Sequence, residues 1–176
     1  MGLGELGRDA AAKLQVMGFA VTGWSRTQKQ VDGVTCHAGE DGLGAFLASA
    51  DIFVVLLPLT PDTHEILDRD LFRRMTKRGP LGAPVLINAG RGGLQNEADI
   101  LAALDEGLLS AVTLDVFQQE PLDPESPFWS HPKVTITPHA AAASMPSSLI
   151  APMVEQIDAF ERGEPLLNLV DRKAGY

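Results

Sequence analysis

The chain begins "MGLGELG" (residues 1–7), in which Gly2, Gly4 and Gly7 stand at the spacing G-x-G-x-x-G. That spacing serves the turn from a β-strand into a helix around a dinucleotide pyrophosphate. The first glycine makes the turn, the second lets the phosphates approach the backbone, and the third lets the helix lie close to the strand. By itself the pattern is weak, since any tight turn feeding a helix shares it. A helix does follow. In "ELGRDAAAKLQVMG" (5–18), Leu6, Ala10, Leu14 and Met17 recur at spacings of four and three on one helical face, and Gly18 suits the left-handed position past its end. Before the glycines, where a buried strand belongs, the sequence begins at Met1.

Further along, strand-like and helix-like stretches alternate. "FAVTGW" (19–24) is a short β-rich run, "AFLASA" (45–50) reads as a short helix, and "DIFVVLLP" (51–58) is almost continuously apolar. "DRDLFRRM" (68–75) is helical and "APVLIN" (83–88) is a buried strand. In "NEADILAALDEG" (96–107) Asn96 is placed to cap a helix and Gly107 to end it. "SAVTLDVF" (110–117) and "KVTITP" (133–138) are two more strands, and the tail "SMPSSLIAPMVEQIDAFERG" (144–163) is helical at its C-terminal end, with a kink or restart expected at Pro152. The fold class read from this alternation is α/β, a doubly wound parallel sheet of the Rossmann-like dinucleotide-binding kind. Residues 1–176 are expected to form one such domain, with 146–176 a C-terminal helix and tail.

Composition narrows the class of partner. The 176 residues are 45% hydrophobic and 21% charged, with a net charge of −9. An acidic chain lacks the concentrated basic surface that phosphate backbones require, so no nucleic acid is expected. There is no apolar run of about 20 residues to span a bilayer, and no basic-then-apolar leader; neither a membrane nor a metal is expected. The single cysteine, Cys36, cannot form an internal disulfide and reads as a small core residue in a reducing, cytoplasmic compartment.

Ligands of open parallel sheets bind beyond the carboxyl ends of the strands. Gly2, Leu3, Gly4, Glu5, Leu6 and Gly7 are therefore the first candidate cofactor contacts. The residue that reads the adenosine ribose lies about 20 positions past the last glycine, which leads to "GWSRT" and to Trp24, Ser25 and Arg26. An acidic residue there repels a 2′-phosphate. Ser25 removes the repulsion and Arg26 can pair with the phosphate, so NADPH is preferred over NADH. "LPLTPDT" (57–63) is either an ordinary connection or a wall against the cofactor, with Leu57, Pro58 and Thr63 as its candidate contacts. "INAGRGG" (87–93) places Arg91 after Ala89 and Gly90 in a glycine-rich turn, where a guanidinium can hold a carboxylate through two parallel hydrogen bonds. Asp115, Glu120 and His139 also follow strand ends. Histidine is the natural proton donor near neutral pH, and a carboxylate on its other ring nitrogen fixes the tautomer. His37, His64 and His131 have no comparable setting.

Taken together, "GLGELG", "LPLTPDT", "NAGRGG", "LDVFQQEP" and "HPKVTITPHAA" resemble, in order and approximate spacing, the NAD(P)-binding domain of the D-isomer-specific 2-hydroxyacid dehydrogenases. Within that family "WSRT", "ESPFWSHPKV" and "VDRKAGY" look most like the NADPH-preferring glyoxylate/hydroxypyruvate reductases. The resemblance implies Arg91 as the substrate-orienting arginine, His139 as the acid/base and Glu120 as its carboxylate partner. It implies Asp115 beside the nicotinamide carboxamide, and Ala89, Gly90, Arg91, His139 and Ala141 as further cofactor contacts. The implied reaction is reduction of a small 2-oxo acid by an oxidoreductase that is expected to be a homodimer. The stretch "MTKRGPLGAPVLIN" (75–88) is longer than usual and is expected to form a surface loop. The fold is expected to lack its first strand and the substrate domain, as a piece of a longer enzyme with turnover far below an intact one. The alternatives are an interaction module resembling the C-terminal-binding-protein corepressors, and an inactive fragment.

Overall fold

The computed structural model describes residues 1–75, 79–142, 145–170 and 172. They fall into two units, Met1–His139 and Ala140–Tyr176. The first unit holds α1 (Glu5–Val16), β1 (Thr22–Ser25), β2 (Thr35–Ala38), α2 (Gly39–Leu47), β3 (Ile52–Val55), α3 (Arg69–Arg74), β4 (Val85–Asn88), α4 (Glu97–Asp105), β5 (Ala111–Leu114) and β6 (Val134–Ile136). The second holds α5 (Pro146–Glu161). Capping chemistry sets the helix ends, at Gly18, Asn96 and Gly107 as expected from the sequence and at Asp68 besides. Asp68 accepts from Leu71 N–H and Asn96 from Asp99 N–H, while Gly18 and Gly107 adopt φ of 89° and 70° past α1 and α4.

Among the described residues all strand pairs are parallel. β1 pairs with β2, and β3-β4-β5-β6 form a four-stranded sheet. Val55, Asn88 and Leu114 lie level across neighbouring strands, as do Leu114 and Ile136. The loops that follow these four strands therefore leave one common edge. Phe53, Val55, Leu86, Val112 and Leu114 are buried beneath it, and Phe46 of α2 meets Phe53 edge-on with ring centroids 5.6 Å apart.

Met1 and Gly2 join the two sheets. The Met1 amine donates to Val54 O (2.6 Å) and Leu56 N–H donates to Met1 O (2.9 Å), a parallel-ladder pattern against β3. Gly2 N–H donates to Trp24 O of β1 (2.8 Å).

Three local expectations are corrected. The helix read at 45–50 lies at Gly39–Leu47, and β2 precedes it where no element was expected. On α1 the buried residues are Gly7 and Ala11, while Leu6 and Met17 are 56% and 72% exposed. The helix lies too close to the glycine turn for large side chains on its inner face, since a Cβ on Gly7 would sit 2.0 Å from Gly2 O. Finally, of the kink or restart expected at Pro152, the restart is excluded, since α5 runs as one helix from Pro146 through Pro152. In the expected surface loop, Gly79–Gly82 form a turn closed by Gly82 N–H donating to Gly79 O (3.1 Å), and Thr76, Lys77 and Arg78 lie outside the described residues.

Candidate active site

Around the first glycines the three positions differ in kind. Gly2 has φ 92°, and a Cβ there would meet Leu56 O at 2.7 Å. Gly7 is pressed against Gly2 as described. Gly4, the N-cap of α1, has open space where a Cβ would go, and no side chain caps the helix. An uncapped helix N-terminus with an open approach is suited to an anion, and this arrangement fits a dinucleotide pyrophosphate. Leu3 is buried against Gly23, whereas Glu5 and Leu6 are exposed.

At the end of β1, Trp24 is buried with Nε1–H donating to Gly39 O (2.9 Å). The Ser25 hydroxyl donates to Thr27 O (2.9 Å), so it shapes the turn that carries the exposed Arg26. After β3, Leu57 belongs to the core. Thr63 Oγ1 donates to Pro58 O (2.7 Å) and accepts from Thr60 N–H (2.8 Å), which staples the 58–63 loop. Ala141 lies in the second unit.

Arg91, Glu120 and His139 come together. They line an open cleft of about 320 Å³ with Leu59, Gly92, Gly93, Phe117 and Gln118. Arg91 follows β4 and its Nη1–H donates to Gly90 O (2.7 Å). His139 follows β6 with φ 53°, its N–H donating to Thr137 O (3.1 Å). This left-handed turn is uncommon for a non-glycine residue. The His139 Nδ1–H donates to Glu120 Oε2 (2.8 Å), and Phe117 N–H donates to Glu120 Oε1 (3.0 Å). Asp115 does not line the cleft; it is buried beside it, accepting from Thr137 Oγ1 (2.5 Å). His131 serves the surface, with Nδ1 accepting from Lys133 N–H (3.2 Å).

The His139 hydrogen bond, joined by that of Phe117, holds the Glu120 carboxyl below its ordinary 4.5. Glu120 stays ionised to lower pH in the fold than in the unfolded chain. Its contribution is therefore complete above the ordinary value and is lost as the pH falls through the folded one. Glu120→Gln is expected to flatten the decline of stability below about pH 4.5, read by urea unfolding across the acid range.

Sequence windows at the strand ends already contained Leu59, Phe117, Gln118 and Thr137. Gln95 and Glu97, which brace the cleft from behind, were missed, since nothing local distinguishes a buried amide, or a carboxylate that bonds a distant turn, from a surface group.

Residues 1–141 match the family model of the D-isomer-specific 2-hydroxyacid dehydrogenase NAD-binding domain. The chain belongs to that family. The chain is 45% identical over its whole length to glyoxylate/hydroxypyruvate reductase A of Yersinia enterocolitica, covering 55% of that protein. It superposes with a TM-score of 0.95 and 53% identity on an NADPH-dependent glyoxylate/hydroxypyruvate reductase from Sinorhizobium meliloti, solved with NADP and sulfate. All of this chain and 55% of that one are covered. A probable 2-hydroxyacid dehydrogenase from Rhizobium etli, solved with NADP, HEPES and L(+)-tartaric acid, gives 0.93 at 53% identity, with the same coverage. The chain thus spans about half the length of the relatives it matches. Among the described residues, no helix is long and apolar enough to cross a membrane.

Proposed function

We propose that this chain is the cofactor-binding and catalytic part of an NADPH-dependent reductase of small 2-oxo acids such as glyoxylate or hydroxypyruvate. The observation that carries this is the meeting, in one cleft, of a guanidinium with a preassembled carboxylate–imidazole pair. Arg91 offers its fork to the substrate carboxylate and fixes the carbonyl beside His139. With Nδ1 engaged by Glu120, His139 presents Nε2 and delivers a proton to the carbonyl oxygen as negative charge develops there. Glu120 holds the tautomer and balances the imidazolium. NADPH, when bound, supplies the hydride for C2. The Gly2–Gly7 turn and the N-terminus of α1 would hold its pyrophosphate, and Arg26 its 2′-phosphate. A module that bound dinucleotide only to control assembly would need no acid/base pair.

One titration tests the cofactor reading on this chain. NADPH quenching of intrinsic fluorescence is expected to show tighter binding than NADH, and Arg26→Ala to abolish the difference. Gly4→Ala is expected to weaken binding of both, because its methyl enters the open approach. Equal affinity for the two cofactors in the unsubstituted chain would sink the NADPH assignment, and unimpaired binding by Gly4→Ala would sink the loop's role.

A further inference from the structure

Asn88 and Gln95 are fully buried polar side chains behind the cleft. We infer that Gln95 is a positioning residue that holds the Arg91 turn and the Glu120–His139 pair in one frame. The inference rests on the catalytic reading above, since a common frame matters only if these groups act on one substrate.

Backbone groups settle which way the two amides face. Gly90 N–H is necessarily a donor, and it meets Asn88 Oδ1 at 3.1 Å. Asn88 Nδ2 is then the donor on the other side, giving one hydrogen bond to Arg91 O (3.2 Å) and one to Gln95 Oε1 (2.8 Å). That leaves Gln95 Nε2 to donate, and its neighbour is a necessary acceptor, Val116 O, at 3.1 Å. The same Nε2 reaches Glu97 Oε1 (3.3 Å), which also accepts from Gln118 N–H (2.9 Å). Gln118 Nε2 in turn donates to Gln95 O (2.8 Å). Val116 and Gln118 flank Phe117, whose N–H holds Glu120. One side-chain amide therefore accepts from the turn bearing the guanidinium and donates to the turn bearing the carboxylate, while touching neither group itself.

The position calls for both functions at once. An ionised glutamate accepts from Asn88 but has no hydrogen for Val116 O, and methionine of similar length donates nothing. The test uses this chain with carboxyl-carbon and side-chain amide NMR. In the unsubstituted protein, the Gln95 Nε2–H signals are expected to shift with the midpoint at which Glu120 titrates. In Gln95→Met and Gln95→Glu, the Glu120 midpoint is expected to rise towards the ordinary carboxylate value. In a form that turns over glyoxylate, kcat is expected to fall on the order of a hundredfold, the scale of a small misplacement of reacting groups, with NADPH affinity unchanged. A purely structural role lowers Tm alone. Gln95 signals blind to the Glu120 titration overturn the inference even if neither variant folds, and so does an unmoved Glu120 midpoint in a folded variant. Intact coupling in a protein that reduces no 2-oxo acid overturns the catalytic reading and leaves the link between the turns standing.

Discussion

Gly92→Ala is expected to take the cleft apart. A Cβ at this position would lie 1.8 Å from Phe117 O and 2.6 Å from Gln118 N, contacts with backbone that no side-chain rotation relieves. The Arg91 turn and the Glu120 turn must separate before the methyl fits. Overpacking of this kind costs about 1–3 kcal/mol and occasionally more. The catalytic loss is expected to be larger in proportion, on the order of a hundredfold or more, because the guanidinium then stands away from the imidazole. Urea unfolding and NADPH consumption with glyoxylate measure the two effects. Gly93→Ala is the control: its Cβ would meet only the tip of the Leu59 side chain, at 2.8 Å, which can rotate aside. Equal behaviour of the two variants would show that the contact between the turns is not what holds the site.

His139→Gln is expected to remove the proton donor while preserving the fold. Glutamine still offers an N–H towards Glu120, so the local hydrogen bond is replaceable, but an amide cannot give up a proton near neutral pH. General acid catalysis is worth about two to four powers of ten, and a fall of that order in kcat is expected. NADPH affinity is expected to hold, since the glycine turn and Arg26 are untouched. The measurement belongs on the longest form of the protein that turns over, with cofactor binding followed on this chain. Full turnover by the variant would overturn the role assigned to His139, and failure of the unsubstituted chain to bind NADPH would favour an inactive fragment.

Where hydrophobic runs and capping residues were strong, the sequence led to the right architecture. "DIFVVLLP", "APVLIN" and "SAVTLDVF" contain β3, β4 and β5, and Asn96 caps the helix it precedes. β2 and α2 were harder for physical reasons. Thr35–Ala38 is four residues without a bulky apolar side chain, and α2 carries Gly39, Gly42 and Gly44, each costly in a helix and tolerated here through tertiary packing. The inner face of α1 was obscured by the opposite effect: its buried residues are small because the turn lies so near, and the larger apolar residues face outward. At the site, the charged groups were legible because strand ends are where such groups act. Gln95 was not, because its meaning resides in four partners distant along the chain or hidden behind the turn.

The join between the two sheets has a defined readout. Met1 and Gly2 contribute three backbone hydrogen bonds across it, and Gly2 also begins the turn assigned to the pyrophosphate. Opening the seam therefore dismantles the ligand's seat, and seating a ligand opposes the opening. In hydrogen-exchange terms, the amides of Gly2 and Leu56 report a sub-global fluctuation whose free energy rises with occupancy of the glycine turn. Cofactor affinity and the cohesion of the sheet are thus linked quantities, read from the same two amides.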